Sequence, residues 1–521
     1  MALALENIFR VKFCPLRIPF FAINWREFSK ANVRIEKHST LPPRYESHVE
    51  LLKSKLYTPE SINPKDLPHI FFHSFKHDIL DILLLNRYID RARALSPQLS
   101  VKGFALVLHT ISKYLTHKFR QIIDDDNLQY EIIYNNNFED VNLTDNIYYT
   151  GNNDDILDKH KFVDLFKNII EFIIKISHHL PSRLRYSQSK DLGMISLSIT
   201  KLNTLITKYY NHKLIKTEYY TSFERILKRI ANEAPSKLPF FGIPELAALA
   251  LALSHNNLSS FAWSKLALYD LSVEMVDKLE LLLVEQQYTS NLLNDALSFT
   301  CSMDRANVDN RGFWAHISQF LTNSHILSLI TANNAVVLAN AISKRCNADK
   351  LLKVASQNLE SVDPVNIPRV VSLGLFVSFR TKSDAFDSFL KYLNVELLGQ
   401  LNCIQLTQVI NCINKTNFDD FVQFNNIKNA VYDRINRLVA DGKMTVQGSI
   451  SILSSIISKE EFKPFPDSLI SFIHANMSLV DQKGLNSLLR LESILDNDVS
   501  HSMVNDLIDF VKQRFVEASG D

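Results

Sequence analysis

Three histidines, His69, His73 and His77, recur every fourth residue in PHIFFHSFKHD. On a helix, neighbouring members of such a set share a face and can offer two imidazoles to a zinc ion. The outer pair lies two turns apart, so the three cannot converge on one ion without distortion. No HExxH glutamate accompanies them, and surface or half-buried histidines are the simpler reading. A second constellation lies between Arg183 and Lys237, where Arg183, Arg185, Lys190, Lys201, Lys208, Lys213, Lys216, Arg225, Lys228, Arg229 and Lys237 face only Asp191, Glu218, Glu224 and Glu233. Tyr186, Tyr209, Tyr210, Tyr219 and Tyr220 are interleaved with them. Basic groups neutralise phosphates and aromatic faces stack on unpaired bases, so this is the composition of a groove for single-stranded RNA. A solvated basic face that balances acidic residues upstream, with its tyrosines in the core, fits the same composition.

Other chemistry has less support. His178 and His179 are adjacent and diverge on a helix. Cys14, Cys301, Cys346, Cys403 and Cys412 are odd in number, far apart and in no CxxC pair, which argues against a disulfide framework or a zinc ribbon and for a reducing compartment. No GxSxG, GxxxxGK[ST] or GxGxxG occurs. The residues therefore point away from an enzyme, and they call for no metal or other cofactor.

What must position these residues is a chain of 521 residues with 46% hydrophobic and 22% charged residues, enough apolar surface for a large core. It contains only 11 glycines, too few for a parallel sheet with phosphate-cradling loops but ample for helices joined by short turns. Lys and Arg (57) nearly balance Asp and Glu (56), so any nucleic-acid footprint must be local. The longest apolar runs, Leu246 to Leu253 and Ile169 to Ile176, fall short of the ~20 residues that span a bilayer, and no membrane insertion is expected.

The chain divides by composition into four parts. Residues 1–40 carry Arg10, Lys12, Arg17, Arg26, Lys30, Arg34 and Lys37 among Leu, Ile and Phe, against Glu6, Glu27 and Glu36. That pattern reads as a mitochondrial targeting segment, with Arg26-Glu27-Phe28-Ser29 resembling a matrix-protease site. A basic arm of the folded protein is the alternative. Residues 41–123 read as an N-terminal helical region. Residues 124–158 hold ten acidic residues, no Lys or Arg, and Asn135 to Asn137, which predicts a loosely ordered acidic insertion.

Residues 159–521 read as a helical-repeat array. From about Leu192 an apolar helix with small residues, a polar turn and a second apolar-striped helix recur. The first helices begin near SKDLGMISLSITKL, IPELAALALALSHNN, NLLNDALSFTCSM, NAVVLANAISKRC, NIPRVVSLGLFVSF, NCIQLTQVINCINK, TVQGSISILSSIIS and DQKGLNSLLRLESIL. Equivalent positions at Leu246, Leu293, Leu338, Val370, Leu406, Ser449 and Leu485 are separated by 32 to 47 residues, the period of two-helix solenoid units. A lone helix pair cannot bury both apolar faces, so each pair stacks on the next. The expected fold is all-α, an α-solenoid of degenerate helix-turn-helix repeats, with an irregular helical bundle as the alternative.

These degenerate units, with LxxLLxxL-like first helices and a basic leader, resemble the heptatricopeptide, or octotricopeptide-like, repeat proteins of protist mitochondria. They are similar also to the helical region of FAST-kinase-like and RAP-domain proteins and of RNA-editing substrate-binding proteins. The resemblance covers roughly Lys190 to the C-terminus. It implies a mitochondrial matrix protein that binds single-stranded RNA or rRNA fragments and acts in rRNA or mRNA stability, processing or mitoribosome assembly. The terminal HSMVNDLIDFVKQRFVEASGD reads as a plain amphipathic helix, so the family's RAP domain, and any activity attached to it, is not expected. A scaffold or accessory subunit of a mitochondrial complex, meeting ribosomal or other proteins with little RNA contact, is the competing expectation. Further cations at Lys344, Arg345, Lys350, Arg369, Arg380, Lys382, Arg434, Arg437, Lys443 and Arg490 would extend an RNA footprint into a stripe if they share one surface.

Overall fold

In a computed structural model, residues 59–122, 153–209 and 217–492 are described, apart from 286–288, 322, 419, 463–464 and 481, together with 215, 509, 511 and 512. Among the described residues every regular element is helical, and no strand occurs. The longer helices are α1 (Leu67–Lys76), α2 (Ile82–Ala94), α3 (Val101–Ile122), α4 (Asn153–Ile176), α5 (Ser189–Tyr209) and α6 (Thr217–Glu233). They continue as α7 (Ile243–Leu253), α8 (Ala262–Glu285), α9 (Ser290–Arg305), α10 (Arg311–Phe320), α11 (Ala332–Ile342) and α12 (Asp349–Gln357). The last are α13 (Ile367–Thr381), α14 (Cys403–Cys412), α15 (Phe421–Ala440), α16 (Val446–Ile457), α17 (Asp467–Ala475) and α18 (Gln482–Glu492).

Local chemistry starts many of these helices. Side-chain oxygens of Asp81, Thr289, Asn310, Thr331, Asp420 and Thr445 accept backbone N–H groups of the first turn. At α14 the cap is reciprocal: Gln405 N–H donates to Asn402 Oδ1 at 3.0 Å while Asn402 N–H donates to Gln405 Oε1 at 2.9 Å. Each such cap satisfies a donor that the helix cannot, a contribution of about 1 kcal/mol.

Two series of helices pack side by side. In the first, α1 meets α3, α3 meets α5, α5 meets α7, and the sequence of neighbours continues through α9, α11, α13, α14, α16 and α18. In the second, α2 meets α4, α4 meets α6, α6 meets α8 and α8 meets α10, and further along α15 meets α17. All eight segments read from the sequence as first helices are members of the first series, which also takes in α1 and α3.

The apolar faces follow from this placement. Helix α7, flanked by α5, α9 and α8, buries Ile243 and every residue from Glu245 to Leu253, as a helix apolar on all sides must. Its small alanines let these neighbours come close. In α13 a Cβ on Gly374 would lie 2.5 Å from the ring of Phe389, which is itself fully buried, so only glycine admits that contact.

The acidic stretch predicted as a loose insertion is shorter at its end than composition implied. Residues 153–158 form the first turns of α4, whereas 124–152 lie outside the described residues. The N-terminal segment 1–40 and most of the last amphipathic stretch also lie outside them. The described helices belong to one compact unit, Lys55–Asp521, so helices on both sides of the acidic stretch share one core.

Candidate nucleic-acid interface

The basic segment of the sequence is distributed between structural and exposed roles. The guanidinium of Arg183 donates to the backbone carbonyls of Ser96, Leu99 and Pro97 in the turn after α2. A cation is favourable there because the end of a helix presents unpaired carbonyls and negative dipole. Lys237 Nζ donates to the carbonyls of Arg185 at 3.1 Å and Ser187 at 2.8 Å, tying the turn before α7 to the turn before α5. Arg229 pairs with Glu233 one turn later at 2.5 Å. These three cations are spent on the fold.

Tyr219 is in the core. It is fully buried, and its hydroxyl donates to Asn203 Oδ1 at 3.1 Å. Asn203 Nδ2 in turn lies 3.2 Å from Nε2 of buried His255, which burial, with Arg305 nearby, pushes down to about 3. The neutral imidazole accepts the amide proton, so a polar chain links α5, α6 and the end of α7. Of the predicted stacking residues, Tyr186 and Tyr220 are exposed, and the Arg185 guanidinium covers the Tyr186 ring at 4.5 Å. Arg225 and Lys228 are exposed on α6. Lys208 and Tyr209 belong to α5, but their side chains, with Tyr210, Lys213 and Lys216, lie outside the described residues.

The remaining members, Lys190 and Lys201, belong to a larger surface. On α5 the outward positions are Lys190, Met194, Leu197, Lys201 and Thr204, spaced three or four residues apart. On α3 the corresponding stripe is Lys102, Leu106, His109, Lys113 and His117. On α1 it is His69, Phe72, His73 and Lys76. The stripes meet at His109, whose ring lies 6.3 Å from that of Phe72. Burial, followed by the charges of Lys113 and Lys201, pushes its imidazole down to about 4. Thus cations from α3 and α5 act on one point.

No Asp or Glu occurs in α1 or α3, and α5 contains Asp191 alone. That carboxylate accepts the backbone N–H of Gln188 at the start of α5, 3.1 Å away. Facing second-series helices are balanced instead: Arg87 pairs with Glu60 at 2.8 Å, and Arg93 with Asp90 and Glu171. Sequence reading centred on Arg183–Lys237 missed Lys76, Lys102, Lys113 and Lys118. The available signal was the lack of any carboxylate from Leu67 to Lys76 and again from Val101 to Ile122.

Four of the later cations are engaged within the protein. Arg345 bonds Asp304 at 2.7 Å and Asn307 at 2.7 Å, and lies 4.5 Å over the Trp314 ring. Lys344 reaches the same Asp304 at 3.4 Å, Arg380 bonds Asn340 and Ser343, and Arg434 donates to the Leu401 carbonyl at 2.7 Å. They tie neighbouring helices and turns together. A cavity of about 450 Å³ beside Trp314 is lined by Asp309, Arg311, Ser318, Arg345 and Cys346. Burial pushes the Cys346 thiol up, and its Sγ donates to the Trp314 carbonyl at 3.3 Å, an unreactive arrangement for a nucleophile.

His69 and His73 are exposed on α1, and the His73 and His77 rings lie 6.4 Å apart. Among the described residues, no group of three or more His, Cys, Asp or Glu could hold a metal ion. Cys301, Cys346, Cys403 and Cys412 are in no disulfide. No described helix is long and apolar enough to cross a membrane. Compared with models of known protein families and with curated protein sequences, the chain matches none.

Proposed function

We propose that this chain is a helical-repeat RNA-binding protein whose two series of helices form an α-solenoid, and that its N-terminal first-series helices hold the RNA backbone. One observation carries the reading. The adjoining outward stripes of α1, α3 and α5 supply Lys76, Lys102, Lys113, Lys190 and Lys201, while the same three helices contain a single carboxylate. Outward positions of a packed helix accept either sign of charge, so one sign on three adjoining helices favours a polyanion, whose binding gains from release of its counterions.

Of the aromatic partners expected from the sequence, Tyr219 is buried, Tyr186 and Tyr220 are exposed on other elements, and the described outward stripes of α1, α3 and α5 hold no tyrosine. Contact is therefore mainly to phosphates, tolerant of sequence and steep in salt. The mitochondrial matrix, and a role in rRNA or mRNA stability, processing or ribosome assembly, rest on the basic segment 1–40 and on the resemblance of the repeated units. The supporting test is fluorescence anisotropy of the full chain with a labelled single-stranded RNA at several salt concentrations. Four phosphate contacts give a log–log slope of about −3, from about −0.7 per contact. Affinity no better than that of an unrelated matrix protein sinks the proposal. RNase-resistant co-purification with a fixed set of proteins would favour the scaffold reading, for which the neutral outward positions of the later helices are the support.

A further inference from the structure

Among the described second-series helices, α8 exposes the most large apolar side chains. Its inner face buries Ser264, Ala267, Leu268, Leu271, Ser272, Met275 and Leu279. On the opposite side Val284 is 81% exposed, Leu266 65%, Leu281 52%, Val273 50% and Tyr269 45%. Leu266, Val273 and Val284 fall on one line at helical spacing, with Tyr269 and Leu281 beside it. From Leu266 to Val284 the line runs about 27 Å at 1.5 Å per residue. Phe240 is 77% exposed on a turn that packs against α8.

Other second-series helices show what packing alone produces. The outward positions of α6 are Glu218, Thr221, Arg225 and Lys228 with Tyr220 as its one large exposed apolar side chain, and those of α15 are Gln423, Asn426, Asn429, Asp433 and Asn436, with Phe421 and Val422 exposed only in its first turn. An apolar line in water on one helix of such a series marks an interaction surface. Its charges select the partner. Asp277 lies on the same line, with Asp270 to one side and Glu280 to the other. Lys278 is engaged by Glu274 at 2.9 Å and by the Pro239 carbonyl at 3.4 Å, and Glu280 bonds His316 at 2.7 Å. Lys265 is the remaining base on the helix, against Asp270, Asp277 and Glu285.

We infer that the outer face of α8 is a docking site for an amphipathic helix of a protein partner whose apolar stripe is flanked by Lys or Arg. The apolar residues supply affinity, and the carboxylates supply orientation and discrimination. RNA is repelled by the same carboxylates. A second copy of α8 is disfavoured as well, because antiparallel pairing on Val273 and Asp277 sets Asp270 opposite Glu280. The site lies on a different helix series from the cationic surface, so it stands whether or not that surface binds RNA.

The test uses the full chain and two labelled 18-residue peptides with the same leucine stripe, one flanked by lysine and the other by glutamate. Fluorescence anisotropy is expected to detect the lysine peptide and not the glutamate peptide. The surface pair Val273→Ser/Val284→Ser is expected to weaken the lysine peptide about tenfold. Asp270→Asn/Asp277→Asn is expected to weaken it about threefold to tenfold and to flatten its salt dependence. Circular dichroism melting must remain unchanged in both variants. The inference is overturned by equal binding of the two peptides, by no binding of either, or by ridge variants that bind as the parent does. Sedimentation showing self-association that the Val273→Ser/Val284→Ser variant abolishes would assign the ridge to a second copy and overturn it too.

Discussion

Helices α1, α3 and α5 and helices α9, α11, α14 and α16 occupy equivalent places in the first series, yet their outward residues differ in kind. The early helices present lysine and histidine. The later ones present Asn291, Asn294 and Ser298, then Asn334 and Asn340, then Gln405, Gln408 and Asn411, then Gln447, Ser451 and Ser454. Amides of neighbouring later helices bond one another, as where Asn334 Nδ2 donates to Asn294 Oδ1 at 2.8 Å. Buried faces in both regions follow the same logic of Leu, Ile, Val and Ala. The difference teaches that the core fixes the architecture while the outward positions, which packing leaves open, carry the specialisation.

The largest effect should come from erasing the early charge. Replacing Lys102, Lys113, Lys190 and Lys201 by Ala should lower affinity for single-stranded RNA roughly 100-fold or more at low salt and reduce the salt slope by about 0.7 per lysine. Anisotropy titrations check this, and the thermal midpoint should barely move. Replacing Gln405, Gln408 and Gln447 by Ala should leave RNA affinity within about twofold; a loss comparable to the lysine variant would erase the distinction between the regions.

A packing defect in the later region separates fold from binding. Gly374→Ala forces a methyl group against the buried Phe389 ring, and destabilisation of about 1–3 kcal/mol is expected in denaturant melts. Below the melting transition RNA affinity should be unchanged, because Gly374 and Phe389 lie on helices that do not adjoin α1, α3 or α5.

Charge placed in the later region is disfavoured, and pH can expose it. Burial, then the nearby Glu245 carboxylate, pushes Asp295 up to about 6 from its ordinary 3.8. Between those values the folded chain binds more protons than the unfolded chain, so stability falls as pH rises through that window. Asp295→Asn should therefore stabilise the protein by about 1–2 kcal/mol at pH 7.5 and by nothing near pH 3.5, as measured by urea melts at the two pH values.

The smallest effect belongs to His109. Phosphates that neutralise Lys113 and Lys201 relieve the field on its imidazole and raise its affinity for a proton. RNA should then bind about twofold more tightly at pH 5 than the lysines alone explain, and His109→Gln should remove the increment. A pH profile identical in the variant would mean that RNA does not approach this point.

Several features were legible before any coordinates. The small-residue first helices and the scarcity of glycine announced a helical protein. The metal reading of His69, His73 and His77 was weak for a reason visible in their spacing. What the spacing could not reveal is which cations find carbonyls. Arg183 reaches a turn more than eighty residues away, and Lys237 reaches one about fifty residues away, so neither partner is written in the local pattern.

The sequence by itself determined the helices and which side of each is apolar, because a period of 3.6 residues relates every position on a helix to every other. It also set the charge inventory of each helix, including the missing carboxylates of α1 and α3. Only the tertiary structure decided which helices stand side by side. Adjacency turned lysines from Lys76, Lys102, Lys113, Lys190 and Lys201 into one surface, withdrew Arg183, Arg229 and Lys237 to hold the fold, and left the apolar line of α8 facing outward. The physical reason is that a helix carries its own face but not its neighbour: burial, pairing and field strength are properties of contacts between segments distant in the chain.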